Sequence, residues 1–178
     1  MKDWRRWPCV MLVLLAGVML AACSSDGGLS PSFDPENQKE YGLNGTYVGQ
    51  NIKEAMDILQ PEKADFMDMQ TRESYTVDQM ASGQGDMVMG MMLVGRTQVM
   101  VMVERGVLQS IMLAGVPEEE AQKFKTNRGL AIYSSQQQLK QLYGAGTGEK
   151  EIVYKGSKQE ASFGIVNDQV VWFRFDRL

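Results

Sequence analysis

A short capped helix followed by β-rich chain occurs twice in this sequence, so the fold has to accommodate both copies. Residues 51–59 read NIKEAMDIL, and Ile52, Ala55, Met56 and Leu59 recur at the spacing of one helix face. Asn51 is a cap residue, Glu54 stands where a capping box needs it, and Pro61 ends the helix. Residues 135–143 read SQQQLKQLY, with Ser135 as cap and Gln138 as its box partner. Leu139, Leu142 and Tyr143 form the apolar face, and Gly144 is the stop. The two segments superpose at a shift of 84 positions, Asn51 on Ser135 and Leu59 on Tyr143. Neither is long enough to persist without packing partners.

Strand-like runs follow each helix. Met87–Leu93, Thr97–Val103 and Val107–Leu113 follow the first, with Glu104-Arg105-Gly106 as a tight turn. Glu151–Tyr154, Ala161–Val166 and Val170–Phe175 follow the second, with Asn167-Asp168 as the last turn. The closing strands match at a shift of 62 in place of 84, so the first copy carries 22 extra residues. Pro117–Thr126 reads as a connecting helix, with Glu118–Glu120 at the positive end of its dipole and Lys123 and Lys125 near the other. The expected architecture is α+β: two helix-plus-antiparallel-meander repeats, 41–116 and 117–178, packed as one domain with the helices on one face of the sheet.

The first 22 residues differ in kind. A cationic start containing Lys2, Arg5 and Arg6 precedes a charge-free run of 12 residues, Cys9–Leu20. That run is too short for a spanning helix and fits the apolar part of a signal peptide. Leu20-Ala21-Ala22-Cys23 follows and resembles the lipobox of bacterial lipoproteins. The resemblance implies a signal peptide over 1–22, cleavage after Ala22, a diacylglyceryl group on the Cys23 thiol and acylation (palmitate in kind) of the new amine. Two or three acyl chains anchor stably where one is marginal. Ser24, in place of aspartate, implies passage to the outer membrane in an organism with two membranes. Residues 23–40 are rich in Ser, Gly, Pro, Asp and Asn, which predicts a lipidated flexible tether.

The repeated unit resembles the BamE (SmpA/OmlA) lipoproteins and the tandem-repeat beta-lactamase inhibitor proteins. The shared features are the short capped helix, Leu142-Tyr143-Gly144, and the turn-strand endings at 105–113 and 167–175. Gln60-Pro61 departs from the expected Gly before proline. The resemblance implies an accessory role in envelope assembly, or inhibition of a secreted hydrolase.

Histidine is absent, and Cys23 is the one cysteine after the leader. Ser-His-Asp and Cys-His catalysis, Cys/His zinc sites and internal disulfides are thereby excluded after cleavage. The chain after Ala22 has 15 basic and 21 acidic residues, a net charge of −6, against nucleic-acid binding. Gly144–Gly148 follows a helix and lacks the Gly-Lys-Ser/Thr of a phosphate loop. Asp65, Asp68, Glu73 and Asp78 show no spacing that fixes a catalytic pair. The expectation is a chain that is not an enzyme and takes no cofactor.

Methionine is the unusual component: 11 of 14 lie after Ala22. Met87, Met89 and Met91 alternate along one segment and Met100 and Met102 along the next, with Val99, Val101 and Val103 on the opposite side. Three readings stay open: both faces buried, an adaptable partner-binding face, or thioether ligands for Cu(I). Trp172 points away from Phe173 and Phe175, either under a helix or toward a partner. The expected function is a non-enzymatic, membrane-anchored envelope lipoprotein acting as a protein-binding accessory module. Met87, Met89, Met91, Met100, Met102 and Trp172 are its candidate contacts. The alternatives are a methionine-rich Cu(I)-handling periplasmic lipoprotein and an inhibitor of a secreted hydrolase.

Overall fold

The computed structural model describes residues 28–178. The expected leader, Cys23 and the start of the tether lie outside them. The fold is mixed α+β, built on a seven-stranded antiparallel sheet with few helices. A small hairpin, β1 (Gly42–Leu43) and β2 (Thr46–Tyr47), precedes α1 (Ile52–Leu59). Then come β3 (Lys63–Asp68), α2 (Val77–Ala81), β4 (Val88–Val94), β5 (Thr97–Glu104) and β6 (Val107–Ala114). The chain continues through α3 (Gln136–Tyr143) into β7 (Glu151–Lys155), β8 (Gln159–Val166) and β9 (Gln169–Arg177). The strand order is β3-β4-β5-β6-β9-β8-β7, so the last strand of each half pairs with the other at the centre.

One row crosses the whole sheet: Phe66, Gly90, Val101, Ile111, Phe175, Ala161 and Tyr154 are register partners in turn. Six of the seven belong to one core cluster with Ile52, Ala55 and Leu59 of α1, Met80 of α2, and Leu139 and Tyr143 of α3; Gly90, also buried, has no side chain to add. Phe163 sits among Tyr143, Tyr154, Phe173 and Phe175, with ring centroids 5.0–6.2 Å away. This apolar face supplies the tertiary packing that eight-residue helices need.

The two longer helices are tied to the sheet alike. Gly49 N–H donates to Leu108 O and Ile52 N–H to Gly106 O; Tyr133 N–H donates to Val170 O and Gln136 N–H to Asp168 O. Each pair is separated by 84 positions on the donor side and 62 on the acceptor side. Arg105-Gly106 and Asn167-Asp168 all have positive φ, as type I′ hairpins require. Between α1 and β4 lie β3 and α2, which pattern reading missed.

Four local expectations change. Asn51 caps α1 by accepting from Lys53 N–H at 2.9 Å, with no box to Glu54, whereas Ser135 and Gln138 do form the box. The connecting helix expected over Pro117–Thr126 is a 3₁₀ turn, Glu118–Lys123, without a side-chain cap. Its geometry follows Glu120, whose buried carboxylate accepts from Arg96 N–H and the Thr97 hydroxyl and so pulls the segment onto the β4–β5 turn. The spacer expected through residue 40 is docked in its described part. Phe33 packs among Tyr41, Tyr143 and Tyr154. Arg128 reaches the Ser30 and Pro31 carbonyls and both oxygens of Glu40, which is fully buried. A spacer-like composition conceals one aromatic and one acid that have preformed sites. The fourth change concerns the open face of the sheet, described below.

Asp68 and Glu120 connect the fold to pH. The backbone N–H groups of Thr71 and Gln70 hold Asp68 below its ordinary pKa, and the Thr97 hydroxyl followed by Arg96 N–H does so for Glu120. A carboxylate depressed on folding adds stability above its unfolded pKa and loses it as pH falls through the folded value. The urea midpoint should therefore be flat above about pH 5 and decline below about pH 4. Glu120→Gln should lower the plateau and make the acid decline shallower; an unchanged decline would remove Glu120 from the cause.

Candidate functional site

The second face of the sheet begins in sequence alternation. In β5, Val99, Val101 and Val103 are buried while Met100 and Met102 are not. In β4, Val88, Gly90 and Met92 are buried while Met89 is half-buried and Met91 is 42% exposed. The register then lines the outward side chains into rows. Asp65, Met91, Met100, Met112 and Arg174 are successive partners, and so are Met67, Met89, Met102, Ser110 and Asp176. Six methionines thus form a contiguous block across β3–β6. Exposed Met69 and Met87 extend it, joined by a bond from Met69 N–H to Met87 O.

Of the three readings, the one with both faces buried fails: among the described residues Met91 is exposed and Met67, Met89, Met100, Met102 and Met112 are half-buried. Alternation separates two apolar sets but does not say which is covered. Met87, Met89, Met91, Met100 and Met102 are brought together. Trp172 lies on the same face, half-buried, one row beyond Arg174 and paired with Ala114 and Gly164. A side chain added at Gly164 would run into the Trp172 indole, so the ring occupies the space over that glycine. The sequence candidates therefore share one surface. Met67 and Met112 belong to it and were missed, because isolated methionines in separate strands give no local signal.

Both sheet edges are partly covered by the chain itself. Ser74 bridges Met67 outside β3, with Asp68 N–H to Glu73 O at 2.8 Å and Tyr75 N–H to Phe66 O at 3.0 Å. Outside β7, Thr147 and Val153 exchange two backbone bonds, 3.0 and 2.8 Å. The accessible apolar feature is the face itself. It includes a groove of about 360 Å³ beside Met67, Met89, Met91 and Tyr75.

The carboxylates singled out in the sequence do not converge. Asp68 caps the turn at Gln70 and Thr71, Asp78 pairs with Lys53 across the surface, and Glu73 accepts from Tyr75. Among the described residues no three His, Cys, Asp or Glu side chains are grouped to hold a metal ion. Burial raises Tyr41 and Tyr143 and pushes Tyr154 up to about 12, so these tyrosines are packing groups and stay protonated at neutral pH. No described helix is long and apolar enough to cross a membrane.

No family model and no curated protein matches the chain. Among solved structures, it is similar to an extracellular protein containing an SCP domain from Bacillus anthracis str. Ames, at 10% identity and a TM-score of 0.34. The overlap covers 73% of this chain and 44% of that one, so this chain spans less than half of its length. A TM-score of that size does not establish a common fold.

Proposed function

We propose that this chain is a lipid-anchored envelope lipoprotein, without catalytic activity of its own, that binds a partner protein through the methionine face. The observation that carries the reading is the open, contiguous block of Met67, Met89, Met91, Met100, Met102 and Met112 beside Trp172. Contiguous exposed apolar surface is uncommon on monomers and marks interaction sites. Unbranched thioether side chains adapt to a partner's shape. Edges partly covered by residues 73–75 and 147 favour docking on the face over strand addition.

The anchor reading rests on the Leu20-Ala21-Ala22-Cys23 string. The duplicated α+β reading, with helices over one face, draws support from the matched ties at 84 and 62 positions and from the core that the helices share with the sheet. Such a scaffold leaves the opposite face free.

The test pairs localisation with site-directed crosslinking in the native host. The wild-type chain should fractionate with membranes, and Cys23→Ala should release it. A photo-crosslinker at position 100 should capture a defined partner, one at Gln141 on α3 should not, and Met91→Asp with Met102→Asp should abolish capture from position 100 while the fold survives. Membrane retention of Cys23→Ala would overturn the anchor. Equal capture from positions 100 and 141 would overturn the docking face.

A further inference from the structure

We propose that Met89, Met91, Met100 and Met102 form a thioether site for a soft monovalent cation, Cu(I) in the first instance. These four residues occupy the centre of the methionine block. Met89 is the register partner of Met102, and Met91 that of Met100, on adjacent strands. Directly opposed side chains start with Cβ atoms about 4.5–5.5 Å apart, and diagonal neighbours about 7–8 Å. Three rotatable bonds let each thioether swing toward a common centre. Met67 and Met112 flank the quartet in the same two rows and offer further sulfur.

The composition of the two faces supports a role for sulfur beyond apolarity. Inward positions of β5 are filled by β-branched Val99, Val101 and Val103, the residue type strands favour. Outward positions of the same strand carry methionine at 100 and 102. The outward side of β7–β9 bears none: its rows run Arg174, Ser162 and Val153, then Asp176, Glu160 and Lys155, then Trp172, Gly164 and Glu151. Adaptable docking accounts for the unbranched chain of methionine, and a soft-ion site accounts for its sulfur. Soft thioethers select Cu(I) over hard cations, and neutral ligands leave the ion's single positive charge in place. Asp65 stands next to Met91 in its row and supplies a nearby negative charge.

The site is tested on the full chain in detergent, with Cys9→Ala and Cys23→Ala removing both thiols. Cu(I) is titrated anaerobically against a chromogenic Cu(I) chelator. The expected result is one Cu(I) per chain with a Kd below micromolar, unchanged by Met56→Leu on α1. Replacing Met89, Met91, Met100 and Met102 together with leucine should weaken binding at least ~10-fold, equivalent to about 1.4 kcal/mol. Leucine keeps the volume and apolarity of methionine, and the two pairs 89/102 and 91/100, changed separately, give the same readout if the quadruple variant does not fold. Parent affinity weaker than micromolar, or undiminished affinity in the leucine variants, overturns the site. Partner crosslinking from position 100 is read separately on a chain with all other methionines intact, so a parent chain that binds no copper while position 100 still captures a partner overturns the site and leaves the docking face standing.

Discussion

Arg128→Ala should destabilise the fold by about 3–5 kcal/mol, measured as a lower urea midpoint at neutral pH. Arg128 contacts both oxygens of Glu40 at 2.7 Å, with its side chain 9% exposed and that of Glu40 fully buried. It also donates to the Leu142 carbonyl at 2.8 Å and to those of Ser30 and Pro31. Truncation strands a carboxylate without its counter-charge, and the unpaired desolvated charge is the larger part of the effect. The same change unlatches the 28–33 segment from α3, so proteolysis there should accelerate ahead of global unfolding. Replacing both partners with apolar residues, Glu40→Leu with Arg128→Met, should recover much of the loss, because no charge is then left buried. A loss below about 1 kcal/mol for Arg128→Ala would be the behaviour of an exposed pair and would contradict this packing.

Phe163→Ala is expected to be of comparable size, about 3–5 kcal/mol. Phe163 is fully buried in β8 and meets rings from α3, β7 and β9: Tyr143 at 5.0 Å, Tyr154 at 5.8 Å, Phe173 at 6.2 Å and Phe175 at 6.1 Å. Truncation removes the transfer free energy of the ring and leaves a cavity that strand backbones cannot close. Val166→Ala, three residues further along and 54% exposed, should stay within about 0.5 kcal/mol. Thermal or urea unfolding of the two variants side by side checks both. Similar losses at the two positions would place the core elsewhere.

These effects lie at contacts between distant parts of the chain, and that is where pattern reading was weakest. The caps at Asn51 and Ser135, the six strands expected after the helices, and the turns at Arg105-Gly106 and Asn167-Asp168 were legible because each depends on a few neighbouring residues. Loss of histidine chemistry followed from composition alone. The strand β3 was missed because KADFMD mixes charge into a short edge strand, and the segment 118–123 was assigned too much helix because Glu120 bonds to a turn 23 and 24 residues away.

The candidate surface divides in the same way. A period of two in β4 and β5 already separated the methionines from Val99, Val101 and Val103, since neighbouring side chains on a strand point to opposite sides. Both sets are apolar, so hydropathy could not tell the covered side from the open one. That choice follows from the long-range packing that buries Val99, Val101 and Val103 in the core cluster, and the rows that unite Met67, Met89 and Met102, or Met91, Met100 and Met112, follow from strand register. Covalent neighbours specify local conformation through short-range sterics and hydrogen bonds; which face stays open, and which sulfurs stand side by side, depends on long-range packing that no window of sequence contains.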